Sequence, residues 1–353
     1  MSPTPNERIE FRAERQSSRF HDPRRNFALA EAEHEVRYDP LTGDTARICH
    51  FTIDKAPPVD FADAIERTQA DCPFCPERID RVTPRFEEAL VPGGRVQRGE
   101  AVVLPNLFPY DDFSAITVVS GHHSLPIADM PAKVIVDALG ASLDFLRLVD
   151  ARIADGPTPS YALVTWNFMP PAGGSQLHPH LQVIHTTHPT NRERRRFRAE
   201  EAWSGHYGSP YIADLLELER ERGERWIGES GSVSWFAPYL PTGMLGDCTA
   251  VFPERASVTE LGEEDLIDFA TGLRHALAGF AEMGFQSFNL VLTGDATGSL
   301  PTRRWVSASI VPRFYVNPVM RSCDVAYMQL CLDENFAMVY PEETAERLRR
   351  FWK

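Results

Sequence analysis

The densest chemistry in this chain is His178-Pro179-His180-Leu181-Gln182, followed by Val183-Ile184-His185. The flanking apolar residues predict a β-strand, on which side chains alternate between faces. On such a strand His178, His180 and Gln182 share one face, and Leu181, Val183 and His185 share the other. Two imidazoles and an amide in a row suit a site better than a core. Pro179 donates no ladder hydrogen bond, which puts the motif at a strand's start or on an edge. Upstream runs Pro170-Pro171-Ala172-Gly173-Gly174-Ser175-Gln176, a loop whose glycines let backbone amides approach a ligand closely. Loop, hydroxyl and imidazoles together fit phosphate handling.

A second cluster is Asp71-Cys72-Pro73-Phe74-Cys75-Pro76. Its Cys-x-x-Cys spacing suits two thiolates on one tetrahedral zinc. A redox pair would want a helix N-terminus after a strand, and Pro76 with its polar flanks fits that poorly. Two plain free thiols are the other alternative. Zinc needs two more ligands, and no second Cys-x-x-Cys exists. The remaining candidates are His123, in Ser120-Gly121-His122-His123-Ser124, and His178. A site of Cys72, Cys75, His123 and His178 would tie three segments together; His122 is the alternative to His123.

The elements that must position these groups follow one plan, used twice. Residues 101–104 and 115–119 are predicted strands, and a helix starts at Pro131, a favoured first-turn residue. Ile135, Leu139, Ser142, Leu146 and Val149 mark its inner face at helical spacing. A strand over 161–167 and the His178 strand close the unit. The second stretch repeats this with strands at 234–237 and 249–252, then a helix from about Gly262. That helix turns Leu266, Phe269, Leu273, Leu277 and Phe280 inward, and strands follow at 288–292 and 305–311. The pattern predicts an α+β fold: a pseudo-duplication of antiparallel sheets with crossing helices. Ser307 and Ser309 stand where His178 and His180 stand, so only the first copy keeps the imidazoles. The expected division is an arm over 1–35 without clear periodicity, a catalytic half over 36–195 and a second half over 196–353. A further strand is expected over 325–332 and a final helix over 342–352.

Composition narrows the function. The net charge of −14 argues against a nucleic-acid surface, though not against a small anion held by local dipoles. No apolar run approaches the roughly 20 residues of a membrane helix. The polar N-terminus lacks a signal-peptide core, which reads as a cytoplasmic protein. Six irregularly spaced cysteines do not form a secreted disulfide framework.

These residues resemble galactose-1-phosphate uridylyltransferase, of the histidine-triad superfamily. The likeness runs along most of the chain. Arg37-Tyr38-Asp39-Pro40-Leu41-Thr42-Gly43 looks like that family's N-terminal strand and turn, and Cys72-Pro73-Phe74-Cys75 like its zinc thiolate pair. Asn106-Leu107-Phe108-Pro109 is similar to its nucleotide-pocket segment, and His123-Ser124 to its third zinc ligand. Asn167 and Ser175 sit where the family places phosphate-contacting side chains. His178-Pro179-His180-Leu181-Gln182 matches its His-Pro-His-x-Gln signature, as Met320-Arg321-Ser322 and the run from Ala345 to Arg349 match its C-terminal part.

The resemblance implies two tandem histidine-triad-like halves, one structural zinc on His178, a homodimer, and His180 as nucleophile. His180, neutral, would attack the α-phosphorus of a nucleotide sugar and release a sugar 1-phosphate. A second sugar phosphate would then take the nucleotide in a ping-pong exchange. Gln182 cannot donate an acid proton but can hydrogen-bond a phosphoryl oxygen. A phosphate leaving group, with its second pKa of about 6, needs little protonation, so Gln182 favours transfer over hydrolysis. Ser175, Gln182 and the amides of Gly173 and Gly174 would hold the developing charge. Asn106, Phe108 and Phe74 suggest an apolar base slot with one amide.

The chain also departs from that pattern. The family's Arg-rich turn is replaced by the run from His50 to Pro57, with Lys55 alone in a comparable place. The second-half metal histidines read Val306-Ser307-Ala308-Ser309, so no second metal is expected. The hexose-binding run is replaced by the residues from Tyr327 to Glu334. The acceptor is therefore not assumed to be galactose 1-phosphate. A phosphorylase using inorganic phosphate is the nearest alternative, and a non-catalytic zinc-stabilised scaffold the more distant one.

Overall fold

The computed structural model describes residues 4–49, 55–153, 159–299 and 303–352. Along the chain, α1 (Pro5–Arg8) precedes a hairpin of two eleven-residue strands, β1 (Arg12–Asp22) and β2 (Ala28–Tyr38), then β3 (Thr45–Ile48). Next come α2 (Ala62–Gln69), α3 (Pro76–Val82), β4 (Val96–Arg98), β5 (Ala101–Pro105) and β6 (Phe113–Val118). The long helix α4 (Ala132–Ile153) leads into β7 (Tyr161–Phe168) and β8 (His180–Thr186). Helices α5 (Asn191–Tyr207) and α6 (Tyr211–Arg222) connect to β9 (Trp226–Ser230), β10 (Val233–Phe236) and β11 (Cys248–Phe252). The second long helix, α7 (Glu263–Glu282), precedes β12 (Ser287–Thr293) and β13 (Val306–Arg313). A short ribbon of β14 (Tyr315–Asn317) and β15 (Ser322–Cys323), then α8 (Tyr327–Leu332), β16 (Asn335–Ala337) and α9 (Pro341–Arg349), end it.

The duplicated plan is visible in the strand order. The order β4-β5-β6-β8-β7 is matched by β9-β10-β11-β13-β12. The two sets are not separate sheets, as the sequence suggested. Antiparallel pairing of β7 with β12 joins them into one sheet of ten strands. Each set ends on an edge strand with unpaired backbone groups, and joining the edges satisfies both. The seam is aromatic: Phe168 stacks on Phe288 at 5.0 Å, with Trp166 edge-on to the same ring at 5.3 Å.

Helices α4 and α7 pack side by side on one face of this sheet. Every residue assigned to their inner faces is buried. Ser142 is tolerated there because its hydroxyl donates to the carbonyl of Ala138 and meets Thr117 Oγ1 at 2.7 Å. The β1-β2-β3-β16 sheet docks through buried ions. Arg37 bridges Glu35 and Glu342, while Arg225 bridges Glu342 and Glu219.

Four expectations shift. The stretch 1–35, read as an arm, contains β1 and most of β2, a hairpin that runs from Arg12 to Tyr38. The strand of the histidine motif begins at His180, because the carbonyl of Pro179 is taken by the amide of Val119 and His178 lies before the ladder. Residues 327–332 are helical; so short an apolar run fits either element until its neighbours decide. The last helix ends at Arg349. Of the Arg-replacing turn, residues 50–54 lie outside the described ones.

Candidate active site and metal centre

The metal candidates come together from three elements. Cys72 precedes α3 and Cys75 occupies its N-cap position, His123 follows β6, and His178 precedes β8. All four are buried, and their donor atoms lie within 4.8 Å of one another. Nε2 of His178 donates to the carbonyl of Ser120 at 2.8 Å. That bond turns Nδ1 toward the sulfurs of Cys72 and Cys75, each 3.6 Å away. Nδ1 of His123 lies 3.5 Å from the Cys75 sulfur, and its Nε2 meets Thr68 Oγ1 at 3.1 Å. His122 is exposed and stands outside the cluster.

These separations fit a tetrahedral ion. Metal–donor bonds of about 2.0–2.3 Å put adjacent donors about 3.6 Å apart. Second partners on both imidazoles fix which nitrogen faces the centre. Burial and the neighbouring Cys72 thiol push Cys75 up to about 12, and burial holds His178 down to about 4. Burial thus disfavours charge of either sign here: it lowers His123 as well and leaves both imidazoles neutral, as metal ligands must be, while the thiols would ionise on taking up a cation.

The second imidazole of the motif is built beside it. His180 is buried on the first position of β8, opposite Val118. Its Nδ1 donates to the carbonyl of His178 at 2.9 Å, so the motif's own backbone sets the tautomer and leaves the lone pair on Nε2. Phe74 packs against the ring at 5.3 Å. Burial lowers the pKa of His180 below its ordinary value, keeping the ring neutral at pH 7. Gln182 follows on the same sheet face, half-buried between Ile116 and Thr165.

The glycine loop differs from expectation. The amides of Gly173 and Gly174 donate within the loop, to the carbonyls of Pro170 and Met169. They are therefore not the donors that would meet a phosphate. Gly173 instead supplies a left-handed turn at φ 84°. Gly174 permits close approach: a Cβ there would lie 2.8 Å from the carbonyl oxygen of Asn167. Past the turn, the amides of Ser175, Gln176, Leu177 and His178 have no acceptor among the described residues, and of these four Ser175 is exposed.

Asn167, the residue after β8's partner Trp166 on β7, receives a bond at 2.7 Å from Asn289 of β12. Asn289 also donates to the carbonyl of Ala172 and accepts from Arg313, which is clasped by buried Asp324. The second half thus braces the loop of the first. Neither Asn289 nor Arg313 carried a motif; an amide interrupting the apolar strand 288–292 was the one available signal. Asn106 holds its own turn, accepting from the amide of Phe108 at 3.0 Å, and Phe108 is exposed.

No known family model matches the chain. A protein of Archaeoglobus fulgidus, described as uncharacterized, is 30% identical over 321 residues, spanning 90% of this chain and 92% of its own. Among solved structures, a GalT-like protein of Arabidopsis thaliana superposes with a TM-score of 0.67 at 19% identity, covering 90% of this chain and 98% of its own. An ADP-glucose phosphorylase of the same plant, with bound ADP-glucose, gives a TM-score of 0.67 at 18% identity and the same coverages. A uridylyltransferase gives 0.64 at 20%, again covering 90% and 98%.

Proposed function

This chain belongs to one family with the Archaeoglobus fulgidus protein and has the GalT-like fold of the histidine-triad superfamily, and from that premise we propose that it is a nucleotidyltransferase. It moves a nucleoside monophosphate between a nucleotide sugar and a sugar 1-phosphate through a covalent bond to His180. The observation that carries this is the hydrogen bond from His180 Nδ1 to the carbonyl of His178, within a buried, neutral ring. A ring locked that way offers Nε2 and nothing else as nucleophile.

In the first half-reaction, Nε2 of His180 bonds to the α-phosphorus as the bond from that phosphorus to the bridging oxygen breaks. The electron pair leaves with the sugar 1-phosphate. Positive charge on the imidazole is met through Nδ1–H by the His178 carbonyl. Ser175, the free amides of Ser175 and Gln176, and the Gln182 side chain receive the non-bridging oxygens. In the second half-reaction the incoming phosphate oxygen attacks the same phosphorus and Nε2 leaves. Gln182 supplies a hydrogen bond without a proton, which suits a phosphate leaving group.

Cys72, Cys75, His123 and His178 would hold one zinc ion, whose contribution is structural: it pins the segment that carries His180. The same four residues that fix the metal thus fix the nucleophile's neighbour. Asn106, Phe74 and Phe108 line the base side of the site in this account. The working form is a homodimer.

Inorganic phosphate as acceptor is the second reading, favoured by the fold shared with the ADP-glucose phosphorylase. Isotope exchange tests the proposal. Labelled glucose 1-phosphate should enter UDP-glucose or ADP-glucose with no other substrate present, as a ping-pong enzyme requires. Both readings share that exchange, so the acceptor separates them: labelled phosphate appearing in nucleoside diphosphate, with no transfer to a second sugar 1-phosphate, would make it a phosphorylase. No exchange with either would overturn the proposal.

A further inference from the structure

The sheet face that carries His180 continues past the seam and becomes the floor of a cavity of about 780 Å³. Cavities of roughly 300–1,000 Å³ are the usual size for small-molecule sites. His180 and Gln182 do not line it. Its floor is a row of cross-strand partners on the second half's side: Thr165 on β7, Val291 on β12, Ser309 on β13 and Thr249 on β11. Ser307 lies one step along β13 on the same face.

Alternation explains the row. On these strands Val164, Leu292, Ala308 and Ala250 point into the helix-covered core. Their neighbours must point into the cavity, and four of those are hydroxyls. Thr165, Thr249, Ser307 and Ser309 form no side-chain hydrogen bond with any described residue. A pocket that needed only to be filled would have taken valines there.

The walls add two other chemistries. Phe236 and Tyr239 bring nearly buried aromatic faces, and Asp247 brings a buried carboxylate. Five arginines line the cavity. Arg195, Arg196, Arg304 and Arg313 are each in contact with a carboxylate. Arg192 is in contact with no carboxylate among the described residues: its guanidinium donates to Thr242 Oγ1, at 3.2 Å. Its charge reaches Asp247 across the cavity without being locked in an ion pair, so it remains open to a ligand at the rim.

We propose that this cavity is a second ligand site, separate from His180, that binds a phosphorylated sugar. The hydroxyl row and Asp247 match the alternating donors and acceptors of a sugar ring. The aromatic walls match the ring's C–H faces, and Arg192 matches a phosphate. The second half lacks imidazoles on β13, and small serines in their place leave the room that a bound ring takes. The half without a nucleophile is a binding half. The braced chain Asp324–Arg313–Asn289–Asn167 runs from this cavity to the loop beside His180. This site stands whether or not His180 transfers nucleotides.

Calorimetric titration of His180→Ala protein tests it, since that variant forms no adduct. Glucose 1-phosphate and glucose 6-phosphate are the probes, with glucose and inorganic phosphate as separate arms. At least one sugar phosphate should bind saturably, and more tightly than glucose or phosphate alone. Adding Arg192→Ala should weaken it about tenfold, the usual worth of one charged hydrogen bond. Adding Ser309→Phe should abolish it by filling the floor. Should Ser309→Phe fail to fold, Thr249→Val with Ser309→Ala removes two hydroxyls at nearly constant volume and should weaken binding at least as much. No saturable binding of either probe overturns the proposal. So does binding that these substitutions leave unchanged, or glucose binding as tightly as its phosphates.

Discussion

His180 and Gly174 show how much rests on single atoms. Ala at 174 would place a Cβ 2.8 Å from one backbone oxygen and 3.0 Å from another, so the loop must move. A displacement of about 1 Å near reacting groups costs roughly 100-fold in rate. Gly174→Ala should therefore slow nucleotide exchange by about that factor while leaving the melting temperature within a few degrees, read by stopped exchange assays and calorimetry. Cys75→Ser should lose the metal: mass-spectrometric metal analysis should show about one zinc per chain in the wild type and far less in the variant. Equal zinc in both would remove Cys75 from the centre. The residues of chemistry were legible because their types and spacings are rare: Cys72, Cys75, His123 and His178 converge as the motif spacing suggested. The backbone partners were not legible. The carbonyls of Ser120 and His178 fix both imidazoles, and every residue has a carbonyl. The Gly173 and Gly174 amides failed as phosphate donors for the same reason, since their bonds depend on how the loop closes.

At the scale of elements, the seam between β7 and β12 carries the most. Phe288 is fully buried against Phe168 and Trp166. Phe288→Ala should cost about 3–5 kcal/mol, read as a lower urea midpoint at unchanged slope. A smaller loss with normal exchange would mean that the halves do not depend on this joint. The duplicated plan was readable because both long helices keep their inner faces at helical spacing and both sheets keep alternation. Their fusion was not, since pairing of two distant strand edges leaves no local mark. The stretch 327–332 misled because six apolar-rich residues fit a strand or a helix, and α5, with Glu200 as its one buried residue, gave little periodic signal.

For the whole molecule, buried charge sets the pH response. Desolvation raises Glu219 to about 7 and Asp247 to about 7, from ordinary values near 4.5 and 3.8. Folded protein then holds protons that unfolded protein gives up between about pH 4 and 7. These two groups make stability fall as pH rises through that window, and Asp247→Asn should flatten the fall in denaturation midpoints measured at pH 4.5 and 7. Arg225 compensates Glu219 at 2% and 0% side-chain exposure. Arg225→Met leaves that carboxylate buried without a partner and should cost about 3–5 kcal/mol at pH 7. The same network anchors the β1–β2 hairpin, whose outer residues Phe20, Phe27 and Leu29 are exposed. If the homodimer forms through that hairpin, changing all three to serine should yield a monomer by light scattering. In the proposed function this scaffold serves one atom, Nε2 of His180. Intact and peptide mass spectrometry after brief incubation with UDP-glucose and ADP-glucose tests that claim most directly. A uridylyl or adenylyl increment is expected on His180, absent from His180→Ala and removed by added sugar 1-phosphate. Folded, zinc-loaded protein that carries no increment with either donor, or carries it on another residue, would contradict it.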